Sequence, residues 1–146
     1  MQLTGKHIFN ASVSTIWNIM MDTDTLAEIT PGITRLEPLG KDQYKAIADI
    51  KMGPVQGSFS GDLEVAEKNE PKSFVLKIKQ NSKIGNVAAA VNIQITPVSE
   101  QQTELAFNGD AHLSGLLAQT GNRVLSGVAN TLTKQFFKAM EKKINP

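Results

Sequence analysis

The sequence predicts an α+β fold in which an antiparallel meander is covered on its dry face by a C-terminal helix. Three observations carry this. Apolar residues recur at every second position through most of 43–113, the repeat of a strand with one buried and one wet face. Beyond Ser114 the repeat lengthens to 3.6 residues, that of an amphipathic helix. The chain has 146 residues, a length suited to one domain with a full core, and neither a linker nor an internal repeat divides it.

Each element has a local reason. Residues 2–9 alternate, with Leu3, Gly5, His7 and Phe9 on one side, and read as a first strand. Ser12 stands at an N-cap position ahead of Val13, Ile16, Trp17 and Met20 at helical spacing. A second short helix is expected over Thr25–Ile29, after the cap candidates Asp22 and Asp24, and Pro31-Gly32 ends it. The meander then places Tyr44, Ala46, Ala48, Ile50 and Met52 on one face. Phe59, Gly61, Leu63 and Val65 continue that face, followed by Phe74, Leu76 and Ile78 after the break at Pro71. Val87 to Ile95 and Leu105 to Leu113 complete it. The last stripe takes in Leu117, Gly121, Val124, Leu125, Val128, Leu132, Phe136 and Ala139, which predicts one long helix. Gly115, Gly121 and Gly127 each cost it about 1 kcal/mol relative to Ala, so its first turns are weak and a kink near Gly121 is allowed.

The dry face carries small residues where a solid core favours Leu, Ile and Phe. Ala46, Ala48, Gly61, Ala89, Gly109 and Ala111 all have inward parity, with Trp17, Tyr44, Phe59, Phe74 and Phe107 among them. Two packings satisfy this pattern: an open space between sheet and helix, or a helix seated close against the sheet. In the first, Gly109→Leu is expected to fill the space.

Chemistry-bearing patterns are few. There is no Cys, hence no disulfide, thiolate ligand or Cys nucleophile. His7 and His112 lie on strands at opposite ends of the pattern, His7 on the dry face and His112 on the wet face beside Asp110, and they make no zinc set. No nucleophile elbow occurs, and Gly53-Pro-Val-Gln-Gly57-Ser-Phe-Ser-Gly61 lacks the Gly-Lys-Ser/Thr of a phosphate loop. Asp49, Asp62 and Glu64 have outward parity, so they form no buried acid–base pair. With 15 Lys and Arg against 14 Asp and Glu the chain lacks the basic surface of a nucleic-acid binder. Arg123, Lys134, Lys138 and Lys142 stand off the apolar stripe, as a solvated helix face does. No run approaches the roughly 20 apolar residues of a membrane span, and residues 1–6 lack the order of a signal peptide, so a cytoplasmic protein is expected.

Several stretches together resemble a known family. Ala11-Ser-Val-Ser-Thr-Ile-Trp17, Asp22, Leu26 and Ile29-Thr-Pro-Gly32 look like the opening of the SRPBCC (START-like, helix-grip) superfamily. Tyr44-Lys-Ala46, Gly53 to Gly61, Gly115-Leu-Leu-Ala-Gln-Thr-Gly-Asn-Arg123 and Gln135-Phe-Phe137 narrow this to the family named for the G subunit of carbon monoxide dehydrogenase. The resemblance implies a seven-stranded antiparallel sheet curled around the C-terminal helix, with a hydrophobic cavity between them. It also implies a lipid or quinone-like ligand and service to a molybdenum hydroxylase, or recruitment of that enzyme to a membrane. Ile33 departs from the family, which often has Cys there. Longer members continue into a membrane-anchoring tail, whereas this sequence stops at Pro146, so at most peripheral membrane contact is expected.

The resulting expectation is a non-catalytic binder of an apolar small molecule, needing no cofactor. Its wall is expected to hold Trp17, Tyr44, Ala46, Ala48, Phe59, Gly61 and Leu76. Ala89, Phe107, Gly109, Ala111, Leu117, Gly121, Val124 and Val128 complete it. Two alternatives remain at this point: a polyketide cyclase-like enzyme using His7 or Tyr44, and a surface-acting recruitment or assembly factor.

Overall fold

The computed structural model describes all residues, Met1–Pro146. The chain runs β1 (Gln2–Phe9), α1 (Val13–Met21), α2 (Thr23–Ile29), β2 (Ile33–Gly40), β3 (Gln43–Met52) and β4 (Val55–Asn69). It continues through β5 (Ser73–Ser82), β6 (Gly85–Ser99), β7 (Gln102–Leu113), α3 (Gly115–Thr120) and α4 (Asn122–Ile144). All seven strands form one antiparallel sheet in the order β1-β7-β6-β5-β4-β3-β2. The meander thus runs from β2 to β7, and β1 returns to pair with β7.

Local chemistry sets the helix ends. Ser12 Oγ accepts from the Thr15 amide at 3.3 Å and starts α1, as its sequence position predicts. Asp22 closes α1 and caps α2, its carboxylate accepting from the Thr25 amide at 3.2 Å, so α2 begins two residues earlier than expected. Gly32, at φ 83°, makes the turn into β2. That strand has no alternation of its own to announce it. It carries Pro38 and two register shifts against β3, as an edge strand tolerates.

The C-terminal helix departs from expectation. Gly121 adopts φ 99° and separates α3 from α4, and neither helix has a side-chain cap at its start. The buried face of α4 also differs from the expected stripe. Val124 turns outward and is exposed, whereas Phe137 and Met140 are buried, Met140 completely. Lys143 Nζ donates to Glu28 Oε2 at 2.8 Å and ties the last turn of α4 to α2.

Large side chains fill one end of the interior. Phe9, Ile16, Trp17, Met20, Phe74, Ile93, Ile95 and Leu105 pack there with Phe137 and Met140. A smaller cluster of Val55, Phe59, Leu117 and Leu125 closes the other end. The molecule is solid where α1 and the end of α4 meet the sheet.

Candidate functional site

Between those two clusters lies a cavity of about 460 Å³, and 29 of its 32 lining residues are hydrophobic. Its position follows from the sheet register. One inward-facing row runs Leu36–Ala46–Gly61–Gln80–Val87–Leu113 across β2 to β7. Ala46 near the middle of that row leaves side-chain volume unfilled. Another row, Phe74–Ile93–Phe107–Gly5, is carried mainly by large rings and branched chains and lies toward the filled end.

Both edge strands reach the same space. Leu3 of β1 and Leu36 of β2 line it together, which requires the sheet to curl around α4, as accumulated strand twist permits. The helix side is provided by Leu125, Val128, Ala129, Leu132, Phe136 and Phe137. Leu117 of α3 covers one end, held by the Leu117 amide bonding to the Ile84 carbonyl at 2.9 Å. Met20, Leu26, Thr30 and Pro31 complete the wall near β2.

The structure brings eight of the expected residues into this wall: Ala46, Ala48, Phe59, Leu76, Phe107, Ala111, Leu117 and Val128. Seven lie outside it. Trp17 is buried under α1, its ring edge-on to Phe74 at 5.9 Å and its Nε1 donating to Glu70 Oε1 at 3.1 Å. Tyr44 is half-buried, and its hydroxyl accepts from Thr23 Oγ1 at 3.3 Å. Ala89 faces inward but packs on the filled core. Gly61 and Gly109 are bare for a different reason from making room. A Cβ at Gly61 would stand 1.9 Å from the Lys79 carbonyl oxygen, and one at Gly109 2.2 Å from that of Ala90. Gly109→Leu would therefore force two strands apart instead of filling the cavity. Gly121 forms the helix break, and Val124 faces solvent.

Residues missed at the sequence level are instructive. Ile50, Leu63, Ile78, Val87 and Leu113 have inward parity and belong to the wall. Gln80 continues the same parity from Phe74, Leu76 and Ile78, a polar residue on a dry face. Met20, Leu26, Ile33 and Leu36 depend on how the short helices and the edge strand fold over, which periodicity does not encode.

The other polar features lie elsewhere. His7 Nε2 donates to Glu141 Oε1 at 2.7 Å, with its ring stacked on Phe137 at 5.2 Å. His112 and Asp110 are exposed in an open groove on the outer face of the sheet, away from the cavity. No three His, Asp or Glu side chains converge as a metal site would require. No helix is long and apolar enough to cross a membrane.

Comparison with known proteins agrees with this architecture. The family model for the G subunit of carbon monoxide dehydrogenase (CoxG) matches residues 5–145. A conserved protein from Geobacillus kaustophilus is 30% identical, with a TM-score of 0.96 over 99% of this chain and 95% of its own. A START superfamily protein from Mycobacterium smegmatis, 17% identical, superposes with a TM-score of 0.80 over 99% and 97% of the two chains. The Zhui aromatase/cyclase from Streptomyces sp. R1128 shares the fold at 10% identity, with a TM-score of 0.74 over 98% of this chain and 92% of its own. No functionally curated protein matches in sequence. A curled seven-stranded sheet, a gripped C-terminal helix and a family match over nearly the whole chain lead to one assignment: this protein belongs to the CoxG family of carbon monoxide dehydrogenase and has the START-type helix-grip fold.

Proposed function

We propose that the chain binds an apolar small molecule, lipid-like or quinone-like, between the sheet and α4. The observation that carries the reading is the cavity of about 460 Å³, with 29 of 32 lining residues hydrophobic. That volume falls within the roughly 300–1,000 Å³ of small-molecule sites. Burying about 300 Å² of ligand surface contributes roughly 7–8 kcal/mol gross at about 25 cal/mol per Å². Taken alone that corresponds to a Kd of about 1–10 μM, and loss of ligand freedom weakens it unless more of the ligand's surface is buried.

The role is carriage and not catalysis. Thr30 and Gln80 are the only wall residues with hydrogen-bonding side chains, and His7 and Tyr44 stand outside the wall. Acid–base chemistry needs a titratable group within reach of the substrate; no side chain of this wall is one, and the N-terminal ammonium of Met1 is engaged with the Ala111 carbonyl at 2.9 Å. Guided by the family's name, we take a molybdenum hydroxylase of the carbon monoxide dehydrogenase type as the partner served, in the cytoplasm.

Native mass spectrometry with solvent extraction of the purified protein should release an apolar compound. Ala129→Phe should fill the cavity from a helical position that accepts a larger residue. Naphthalene binding should weaken by about tenfold or more, since overpacking costs roughly 1–3 kcal/mol. An empty extract together with unchanged naphthalene affinity in that variant would remove the basis for this reading. Co-purification with a molybdenum hydroxylase that survives Ala129→Phe would favour recruitment over carriage.

A further inference from the structure

Gln80 is out of character with the wall around it. It occupies an inward position of β5, between Gly61 of β4 and Val87 of β6 in the register, where a Leu or Ile would continue the strand's pattern. Its Nε2 donates to the Lys79 carbonyl at 3.2 Å. That bond fixes the sense of the amide, because a carbonyl oxygen cannot take the place of the donor there. Oε1 is left shielded from solvent and without a partner, and no other buried side-chain nitrogen or oxygen in the protein lacks one. A buried acceptor without a donor is a standing cost that folded proteins nearly always avoid. Gly61, its register partner on β4, has no side chain that could donate to it.

We propose that Gln80 is the polar recognition point of the cavity, and that the natural ligand is an apolar molecule carrying one hydroxyl or N–H donor that bonds to Oε1. This rests on the carrier reading above and specifies the class of guest. A fully apolar molecule would leave the acceptor unsatisfied, as would one whose only polar atoms are ether or ester oxygens. A phenol, a hydroquinone or a long-chain alcohol relieves it. Discrimination follows, because a wall that is otherwise dry supplies no competing partner. Thr30, the other hydrogen-bonding side chain of the wall, follows α2 and precedes Pro31, on a different element from Gln80.

The test uses three probes of nearly equal shape: naphthol, its methyl ether and naphthalene, each titrated into wild type and Gln80→Met. Met keeps the length and flexibility of Gln but offers only a weak thioether acceptor. In wild type naphthol should bind more tightly than the methyl ether. In Gln80→Met that preference should shrink by about three- to tenfold, the factor a single hydrogen bond commands, while naphthalene affinity holds or improves. Gln80→Leu, checked by thermal melting, repeats the measurement with no acceptor at all. A preference of equal size in wild type and both variants would overturn the role of Gln80. So would equal binding of naphthol and its methyl ether to wild type. If none of the three probes binds wild type, both this inference and the carrier reading fall.

Discussion

One sheet and one helix enclose two unlike interiors. Where α1 and the last turns of α4 meet β5–β7 and β1, Phe9, Ile16, Leu105 and Met140 are sealed from solvent and aromatic rings meet edge-on. Some turns earlier along α4, the same sheet presents Ala46, Ala48 and Ala111, and the helix offers Val128 and Ala129, leaving an unfilled space. Side-chain volume on the inward face distinguishes the two regions. Stability is thereby separated from binding. The filled end holds the fold, and the hollow end, whose helix starts without a side-chain cap after Gly121, is free to accommodate a guest.

The contrast is broken most severely by truncation. Met140→Ala should cost about 2–5 kcal/mol, because closely packed neighbours cannot collapse into the space left behind. Leu132→Ala removes a half-buried wall residue that already borders empty volume, and its cost should lie at the low end of that range or below. Urea midpoints read both. Equal losses would mean that the cavity wall is as tightly packed as the core.

Adding volume should reverse the order. Ala11 is buried within the filled end, so Ala11→Leu should destabilise by about 1–3 kcal/mol. Ala129→Phe at the hollow end should leave the melting temperature unchanged or raised, since filling a cavity is a common route to added stability. A large loss of stability in Ala129→Phe would show that the helix already sits as close to the sheet as it can.

How the two interiors were legible in the sequence follows from the same contrast. Alternation revealed six of the strands and their inward faces, and Ser12 and Asp22 announced the helix starts. β2 was hidden because its register shifts and Pro38 erase the period of two. Small residues on the dry face signalled empty space correctly at Ala46, Ala48 and Ala111. They misled at Gly61 and Gly109, where the missing side chain admits a neighbouring strand's carbonyl. A bare glycine looks the same in a sequence whether a ligand or a backbone takes its place. The helical stripe was extrapolated through Gly121, where φ is 99° and the helix breaks, and within α4 it took in Val124, which is exposed, and left out Phe137 and Met140, which are buried.

The smallest expected effect tests whether the two ends are independent. His7 and Glu141 join β1 to the last turns of α4 at 2.7 Å, beside Phe9 and Phe137, with side chains 38% and 37% exposed. At that exposure water and salt screen most of the attraction. Glu141→Gln should therefore cost only about 0.2–1 kcal/mol, and less at high ionic strength. His7→Ala should cost more, because it also removes the ring stacked on Phe137. Both changes fall at the filled end, so naphthol affinity should be unaltered in Glu141→Gln. If affinity falls along with stability, the grip of β1 on α4 governs the cavity as well, and the two interiors answer to one helix moving as a unit.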